Sequence, residues 1–149
     1  MDWTIDTNVL GQSARLDLDA IEFLNRIRRC GDYVVFDSSG YIEGEYNRCL
    51  KKAKEAKKPG AEVVGKWLRT LLDMNLIRHV YGPLTKKQRD GLCQLHFHDD
   101  DLPFVEACAN SLDKRLITDD SDYSEVVKDY LMKELSICAQ CYRECLDRL

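Results

Sequence analysis

The sequence predicts an α/β protein in which helices cover both faces of a central parallel sheet, a three-layer α/β/α sandwich. Short apolar segments of strand length alternate along the chain with longer amphipathic segments of helical period, which is typical of parallel sheets with right-handed crossovers. The chain has 149 residues, 44% of them hydrophobic, enough for one core. It contains no internal repeat and no long linker. We therefore expect residues 1–149 to form a single domain.

The first half of the chain contains two of the expected strands and three of the expected helices. Apolar residues spaced three apart, from position 18 to position 27, mark the first helix, and Gly31 closes it. A continuous apolar run at 33–36 suits a strand covered on both faces. The predicted elements are a strand at residues 3–6, a helix at 17–29, a strand at 33–36, a helix from residue 41 to the Pro59-Gly60 stop, and a helix at 61–74.

The second half continues the alternation. Gly82-Pro83 closes the third strand, and Thr85 is the expected cap of the next helix. The fourth strand ends abruptly in an aspartate-rich segment, residues 119–122. The predicted elements are a strand at 76–81, helices at 85–95 and 102–112, a strand at 115–118, a helix at 123–133, a short strand at 135–138 and a C-terminal helix.

Composition excludes several classes of protein. Charged residues make up 32% of the chain and the mean hydropathy is −0.42, values that indicate a soluble globular protein. No apolar run approaches the roughly 18 residues of a membrane span, and the first ten residues lack the basic segment of a secretory signal. The seven cysteines are an odd number with no sign of secretion, which predicts reduced thiols in a cytoplasmic protein.

Three late cysteines, Cys138, Cys141 and Cys145, favour buried packing over a metal site. A C-x-x-C pair is a common pair of metal ligands. The chain has no second such pair, however, and its three histidines lie in other segments. We therefore expect these thiols to behave as small buried side chains.

Aspartates follow two strands that can lie side by side. Asp6 ends the first strand, residues 119–122 follow the fourth, and the run 99–101 precedes an apolar helix. A single aspartate suits a helix cap or a turn, but neighbouring strands would crowd all these acids at the edge where α/β sheets bind ligands. Crowded carboxylates either take up protons or bind a cation. Oxygen ligands favour Mg²⁺ or Mn²⁺, and such a site can activate water against a phosphodiester.

Four short motifs stand at the expected strand ends and helix starts. They are Asp6-Thr7-Asn8-Val9-Leu10, Ser39-Gly-Tyr-Ile-Glu-Gly-Glu45, the apolar helix opened by Asp101, and Thr118-Asp-Asp120-Ser-Asp122. Together and in this order they resemble the motifs of the PIN domain, a metal-dependent nuclease fold of VapC-like toxins and RNA-processing factors. The resemblance covers nearly the whole chain. It implies a sheet order of 3-2-1-4-5, in which strands one and four are neighbours.

The resemblance also implies a set of site residues. The metal ligands would be Asp6, Glu45, Asp101 and Asp120, with Asp122 as a fifth or outer acid, and Asn8 and Thr118 would orient the carboxylates by hydrogen bonds. Glu43 competes with Glu45 for its place, and Asp100 or Asp99 competes with Asp101. We favour Asp101 because the apolar residues at i+3, i+4 and i+7 from it then form the buried face of the helix.

The implied function is Mg²⁺- or Mn²⁺-dependent hydrolysis of RNA by an endoribonuclease. By the same resemblance, the chain would be the toxin of a toxin–antitoxin or defence system, with an antitoxin or regulatory protein as partner, and would form a homodimer. One alternative is an inactive PIN-like scaffold that binds RNA or protein, which the complete set of acids disfavours. The other is a phosphate-transfer domain. Asp6-Thr7-Asn8 in place of D-x-D disfavours a haloacid-dehalogenase-type phosphatase, and a receiver would need an acidic pair near the first strand and a late lysine after a strand, neither of which is clear here.

Positive charge is concentrated between residues 48 and 58, in a chain whose net charge is −4. The segment holds six basic residues: Arg48, Lys51, Lys52, Lys54, Lys57 and Lys58. They form either a solvated helix surface or a patch that binds RNA phosphates and lets a polyanion approach the acidic site. Arg26, Arg28 and Arg29 are the next candidates for that role.

Overall fold

The computed structural model describes residues 1–148 and contains one five-stranded sheet. Its strands are β1 (Asp2–Ile5), β2 (Tyr33–Asp37), β3 (Ile77–Val80), β4 (Arg115–Ile117) and β5 (Cys138–Gln140). Every neighbouring pair is parallel, and the order is β3-β2-β1-β4-β5. The predicted fold class and strand order are confirmed, and β1 and β4 lie side by side.

Eight α-helices surround the sheet within the described residues, an arrangement consistent with a three-layer sandwich. They are α1 (Thr7–Ala14), α2 (Leu18–Cys30), α3 (Tyr41–Glu55), α4 (Ala61–Asp73), α5 (Lys86–Gln94), α6 (Leu102–Ala109), α7 (Glu125–Leu135) and α8 (Tyr142–Leu146). A 3₁₀ turn, Asp99–Asp101, leads directly into α6. No helix in residues 1–148 is long and apolar enough to cross a bilayer.

The core covers the three central strands. Every residue of β1 is buried, and so are the middle of β2 and the end of β4. The edge strands β3 and β5 are only partly buried. The centre of the sheet is therefore the most firmly fixed part of the molecule, and the carboxyl ends of β1 and β4 leave it together.

Helix α1 was not expected from the sequence. Most of its residues are weak helix formers, with a glycine in the middle, yet it buries Val9, Leu10, Ser13 and Ala14. Packing stabilises it, because the Gly60 amide donates to the Ala14 carbonyl at 2.8 Å. A Cβ on Gly60 would lie 2.2 Å from the Ser13 carbonyl oxygen, so this close approach requires glycine.

The predicted strand at 135–138 was placed too early. Helix α7 starts at Glu125 because the Ser124 hydroxyl accepts the Val127 amide as a cap. It runs to Leu135 and ends at Ser136, which has a left-handed φ of 56°. The strand is therefore displaced to Cys138–Gln140.

All seven cysteines are free. Of the three late ones, Cys145 is buried, and Cys138 and Cys141 are half-buried. Cys138 lies on β5, Cys141 immediately precedes α8, and Cys145 lies inside α8. The packing interpretation is consistent with these positions and stays a prediction.

Candidate metal centre

Three carboxylates from distant parts of the chain meet at the carboxyl edge of the sheet. Asp6 follows β1, Asp120 follows β4, and Asp101 is the last residue of the 3₁₀ turn before α6. One oxygen from each lies within 4.8 Å of the others. Since this spacing lets one ion contact all three, we call these residues the acidic triad.

The sheet itself fixes the position of Asp6. Residues Ile5 and Ile117 are register partners in the parallel β1–β4 pair. The Asp6 amide then donates to the Ile117 carbonyl at 2.8 Å, one residue beyond the strand. Because α1 begins at Thr7, the chain turns away immediately and leaves the Asp6 side chain at the end of the strand.

Thr118 connects two members of the triad. Its hydroxyl donates to Asp6 Oδ2 at 2.8 Å and accepts the Asp120 amide at 3.1 Å. Asn8 acts on the same loop, since its side-chain oxygen accepts the Asp119 amide at 3.3 Å. Thr118 thus orients a carboxylate directly, whereas Asn8 holds the backbone next to Asp120.

The triad is electrostatically costly when nothing neutralises it. Burial raises the pKa of Asp6 to about 6, and the Asp120 carboxylate adds to the rise while the Thr118 hydroxyl opposes it. Burial also raises the pKa of Asp101 to about 7, with further contributions from the carboxylates of Asp6, Asp120 and Asp122. Carboxylates that resist being charged together gain from a divalent cation between them.

A buried hydroxyl faces the triad without a protein partner. The Tyr123 side chain is 3% exposed, and its hydroxyl has no hydrogen-bond partner among residues 1–148. Burial and the nearby carboxylates of Asp6, Asp101 and Asp120 raise its pKa well above the usual value. A buried donor of this kind is normally satisfied by a water or a ligand.

These residues fit a hard divalent cation. The triad offers only oxygen atoms, which favours Mg²⁺ or Mn²⁺ over softer metals. The buried Tyr123 hydroxyl has no protein partner, and magnesium typically keeps several waters that such a donor could satisfy. The oxygen donor set alone therefore indicates the kind of ion, and the partnerless hydroxyl is consistent with a hydrated one.

The structure separates the competing aspartates of the 99–101 run. Asp101 belongs to the triad. The Asp100 side chain is 80% exposed, and its carboxylate lies 3.6 Å from His98 Nδ1. Asp99 is also exposed. The 3₁₀ turn places Asp101 at the sheet edge and points its neighbours to solvent.

Glu45 lies near the triad but is not part of it. Its carboxylate accepts a hydrogen bond from Arg48, one turn along α3. After burial, the Glu45 carboxylate is the largest influence that raises the pKa of Tyr41, and Asp100 and Asp101 add to it. Glu43 lines a different cavity beside His79. Of the two glutamates, Glu45 is therefore the one that shares a neighbour, Tyr41, with the 99–101 run. Its carboxylate is held by Arg48.

Asp122 has an outer position. Its side chain is exposed, and its amide donates to Asp120 Oδ1 at 2.9 Å. Its carboxylate is close enough to Asp101 to contribute to the raised pKa of that residue. It adds negative charge to the centre without belonging to the group within 4.8 Å.

A basic groove of about 310 Å³ adjoins this region between α1 and α3. Its cations are Arg15, Arg48 and Lys52, and Asn8 and Glu45 line it as well. Two of the six predicted basic residues thus face the groove. Lys54 lines another cavity with Lys66 and Arg69, and Lys51, Lys57 and Lys58 are exposed.

Sequence reasoning missed Arg15 and Tyr123. Arg15 follows α1, a helix that the residue pattern did not reveal, so nothing connected this arginine with the basic segment of α3. Tyr123 stood at the expected start of a helix, as the aromatic residue that follows the Thr118-Asp-Asp120-Ser-Asp122 motif, and no role in the site was assigned to it. Its hydroxyl becomes relevant only when β4 and the 3₁₀ turn are brought together.

Searches of protein families, of curated proteins and of solved structures find no match to this chain. The fold and the site therefore define a structural class of protein and no particular family. The chain is a Rossmann-like α/β protein with an acidic candidate metal centre where β1 and β4 end.

Proposed function

We propose that this protein is a Mg²⁺- or Mn²⁺-dependent endoribonuclease that hydrolyses RNA phosphodiester bonds. The observation that carries the proposal is the acidic triad, with one oxygen of each carboxylate within 4.8 Å of the others. The triad lies at the sheet edge where α/β proteins bind ligands. The four PIN-like motifs favour nuclease chemistry over other phosphate chemistry.

The proposed reaction adds the oxygen of water to phosphorus. One P–O ester bond breaks, one fragment keeps the phosphate, and the other leaves as a hydroxyl after gaining a proton from the water. The cation, when bound, would supply polarisation of a phosphoryl oxygen and a lower pKa for water. The triad carboxylates would hold it, and Thr118 would keep Asp6 in the orientation that its 2.8 Å hydrogen bond imposes.

The basic groove supports a polyanionic substrate. A cluster of carboxylates alone repels phosphates, so a nuclease needs positive charge close to its centre. Arg15, Arg48 and Lys52 provide it in a cavity that also contains Asn8, two residues after Asp6. We propose that these three cations bind the RNA backbone on its way to the triad.

The partners rest on the motif resemblance and the location on the predicted reduced thiols, and neither rests on the geometry. On that basis we propose that the protein acts in the cytoplasm, forms a homodimer, and is the toxin of a toxin–antitoxin or defence system. Its partner would then be an antitoxin or another regulatory protein.

One observation favours the alternative of an inactive scaffold that binds RNA or protein. Glu45, the fourth acid implied by the motifs, is held by Arg48 outside the triad. A centre with one ligand fewer binds metal more weakly, and such a protein would retain the basic groove without turnover. Cleavage itself distinguishes the two functions.

The decisive experiment is metal-dependent cleavage of a mixed RNA pool. Wild-type protein, the matched Asp6→Asn variant and the surface control Asp129→Asn are incubated with Mg²⁺, with Mn²⁺ or with EDTA, and the products are sized. We expect cleavage by the wild type and by Asp129→Asn in either metal, and none in EDTA or with Asp6→Asn. Intact RNA in every lane would refute the nuclease, and equal cleavage by Asp6→Asn would remove that residue from the centre.

A further inference from the structure

A second cavity, of about 250 Å³, lies at the carboxyl ends of β2 and β3. One face of α6 forms its wall, through Pro103, Glu106, Ala107 and Asn110, which are spaced i, i+3, i+4 and i+7. Tyr41 and Tyr81 also line it. This volume is smaller than the roughly 300–1,000 Å³ of pockets for drug-sized ligands, and it suits a single planar ring system.

The cavity shares a wall with the metal centre. Tyr41 lines it, and the hydroxyl of this residue donates to the Asp100 carbonyl at 3.1 Å. Pro103, two residues after Asp101, forms part of the same wall. Glu106 follows Asp101 by five residues, roughly 7 Å along a helix axis. A group bound beside Glu106 would belong to a nucleotide close to the phosphate at the triad.

Most polar groups in this cavity are already engaged. The Asp37 carboxylate accepts the amides of Tyr41 and Ile42 at 3.0 and 2.7 Å. The Asn110 amide nitrogen donates to the Gly82 and Glu106 carbonyls at 2.7 and 2.8 Å. The latter bond uses the Glu106 backbone and leaves its carboxylate as the acceptor available to a ligand.

The charge of the cavity decides what kind of group it takes. Asp37 and Glu106 make it acidic, which disfavours a phosphate, and the basic groove offers the phosphates a better site. A neutral group with hydrogen-bond donors suits the cavity instead. At the rim stands Tyr81, 84% exposed, an aromatic surface of the kind on which nucleobases stack.

We propose that this cavity is a nucleobase subsite that selects guanine. The Watson–Crick edge of guanine presents two adjacent donors, N1–H and the N2 amino group, which match the two oxygens of the Glu106 carboxylate. Adenine and cytosine present one amino donor beside an acceptor, and uracil presents one N–H between two carbonyls. Tyr81 stacks on the base while Glu106 reads its edge. The proposal rests on the proposed RNA substrate but needs no metal for base binding.

The test separates base binding from cleavage. Fluorescent RNA pentamers of uridine with one central guanosine, adenosine or cytidine are titrated in EDTA, in the Asp6→Asn background that cannot cleave. We expect the guanosine pentamer to bind about tenfold more tightly than the others, a difference within the range of a good bidentate contact. Glu106→Gln should abolish that preference, and Asp129→Asn, which removes one charge from an exposed position on α7, should preserve it.

The aromatic partner is tested in the same assay. Tyr81→Ala should weaken binding of all pentamers by about 5- to 150-fold, the range expected for loss of one stacked base. Tyr81→Phe should stay within about twofold of the parent, because the ring rather than the hydroxyl stacks. Tyr81 is exposed, so neither variant should disturb the fold.

The outcomes keep the two proposals apart. If wild-type protein cleaves RNA while Glu106→Gln keeps the guanine preference or Tyr81→Ala binds unchanged, the subsite is wrong and the nuclease stands. If the pentamers show the guanine preference and the Tyr81 dependence but wild-type protein does not cleave, the subsite stands and the nuclease is wrong. Equal affinity of the Asp6→Asn protein for all three pentamers refutes the subsite.

Discussion

The hydroxyl of Thr118 donates to Asp6 across the β1–β4 pair at 2.8 Å. The same oxygen accepts the amide of Asp120, so one small side chain sets the relative positions of two triad carboxylates. Hydrogen bonds of this kind fix the orientation of ligands and tune the affinity of a metal centre.

Thr118→Val should weaken metal binding. The substitution keeps the shape of the side chain but removes the hydroxyl that lowers the pKa of Asp6. We expect the dissociation constant for Mn²⁺, measured by titration calorimetry, to rise by about 10- to 100-fold. Thr118→Ser retains the hydroxyl and should stay near the wild type. Equal affinities of the valine and serine variants would exclude this role.

Asp6→Asn should stabilise the protein without metal. The pKa of Asp6 is about 6 in the folded state instead of 3.8, so the folded state loses stability relative to the unfolded chain as pH rises from about 4 to 6. At neutral pH the variant should gain about 1 to 3 kcal/mol in free energy of unfolding. Near pH 4 the difference should nearly vanish.

Urea denaturation in EDTA at both pH values measures this difference. Asp129→Asn is the matched control, because it removes a carboxylate from an exposed position on α7. A gain that is the same at both pH values would show that Asp6 is not destabilised by its own charge.

Metal affinity should increase with pH. Asp6 and Asp101 have raised pKa values of about 6 and about 7, so protons compete with the cation at and below neutrality. We expect Mn²⁺ affinity to rise steadily between about pH 5.5 and 7.5, by up to about tenfold per pH unit for each proton released. Calorimetry in buffers with different ionisation enthalpies counts the protons. Binding that releases none would contradict the raised pKa values.

The basic groove should contribute to affinity and not to turnover. Replacing Arg15 and Lys52 by Gln should raise KM for RNA with little change in kcat, because these cations bind ground state and transition state alike. Each lost phosphate contact should flatten the log–log salt dependence by about 0.7 for a single strand. The control is the pair Lys57→Gln and Lys58→Gln, which lie outside this groove. If both pairs of substitutions changed KM and the salt dependence equally, the effect would come from general surface charge and not from the basic groove.

The parts of the site that follow strands were predictable from sequence. Asp6 and Asp120 are tied to short apolar runs, and the parallel arrangement of β1 and β4 brings the ends of those runs together. Asp101 could be favoured over its neighbours because the apolar spacing of α6 fixes which residue precedes its buried face. For each of these three aspartates, the apolar residues next to it in the sequence predicted where it would lie.

The rest depends on contacts between distant segments. Helix α1 is stabilised by packing rather than by its own residues, so Arg15 could not be placed beside α3. Glu45 pairs with Arg48 and not with the triad. The spacing of residues along the sequence does not predict which of these partners it takes. The surroundings of Tyr123 combine residues from three parts of the chain, and no sequence window contains them.

Assembly of the triad has a consequence for synthesis of the protein. Its members stand at positions 6, 101 and 120, and Asp6 is held by a hydrogen bond to Ile117. A growing chain on the ribosome therefore carries the first acid long before it carries the other two. Such distant pairings form late in folding, because a long loop must close first. If the protein is the ribonuclease proposed above, its metal centre would be complete only after residue 120 has been synthesised and has paired with the start of the chain.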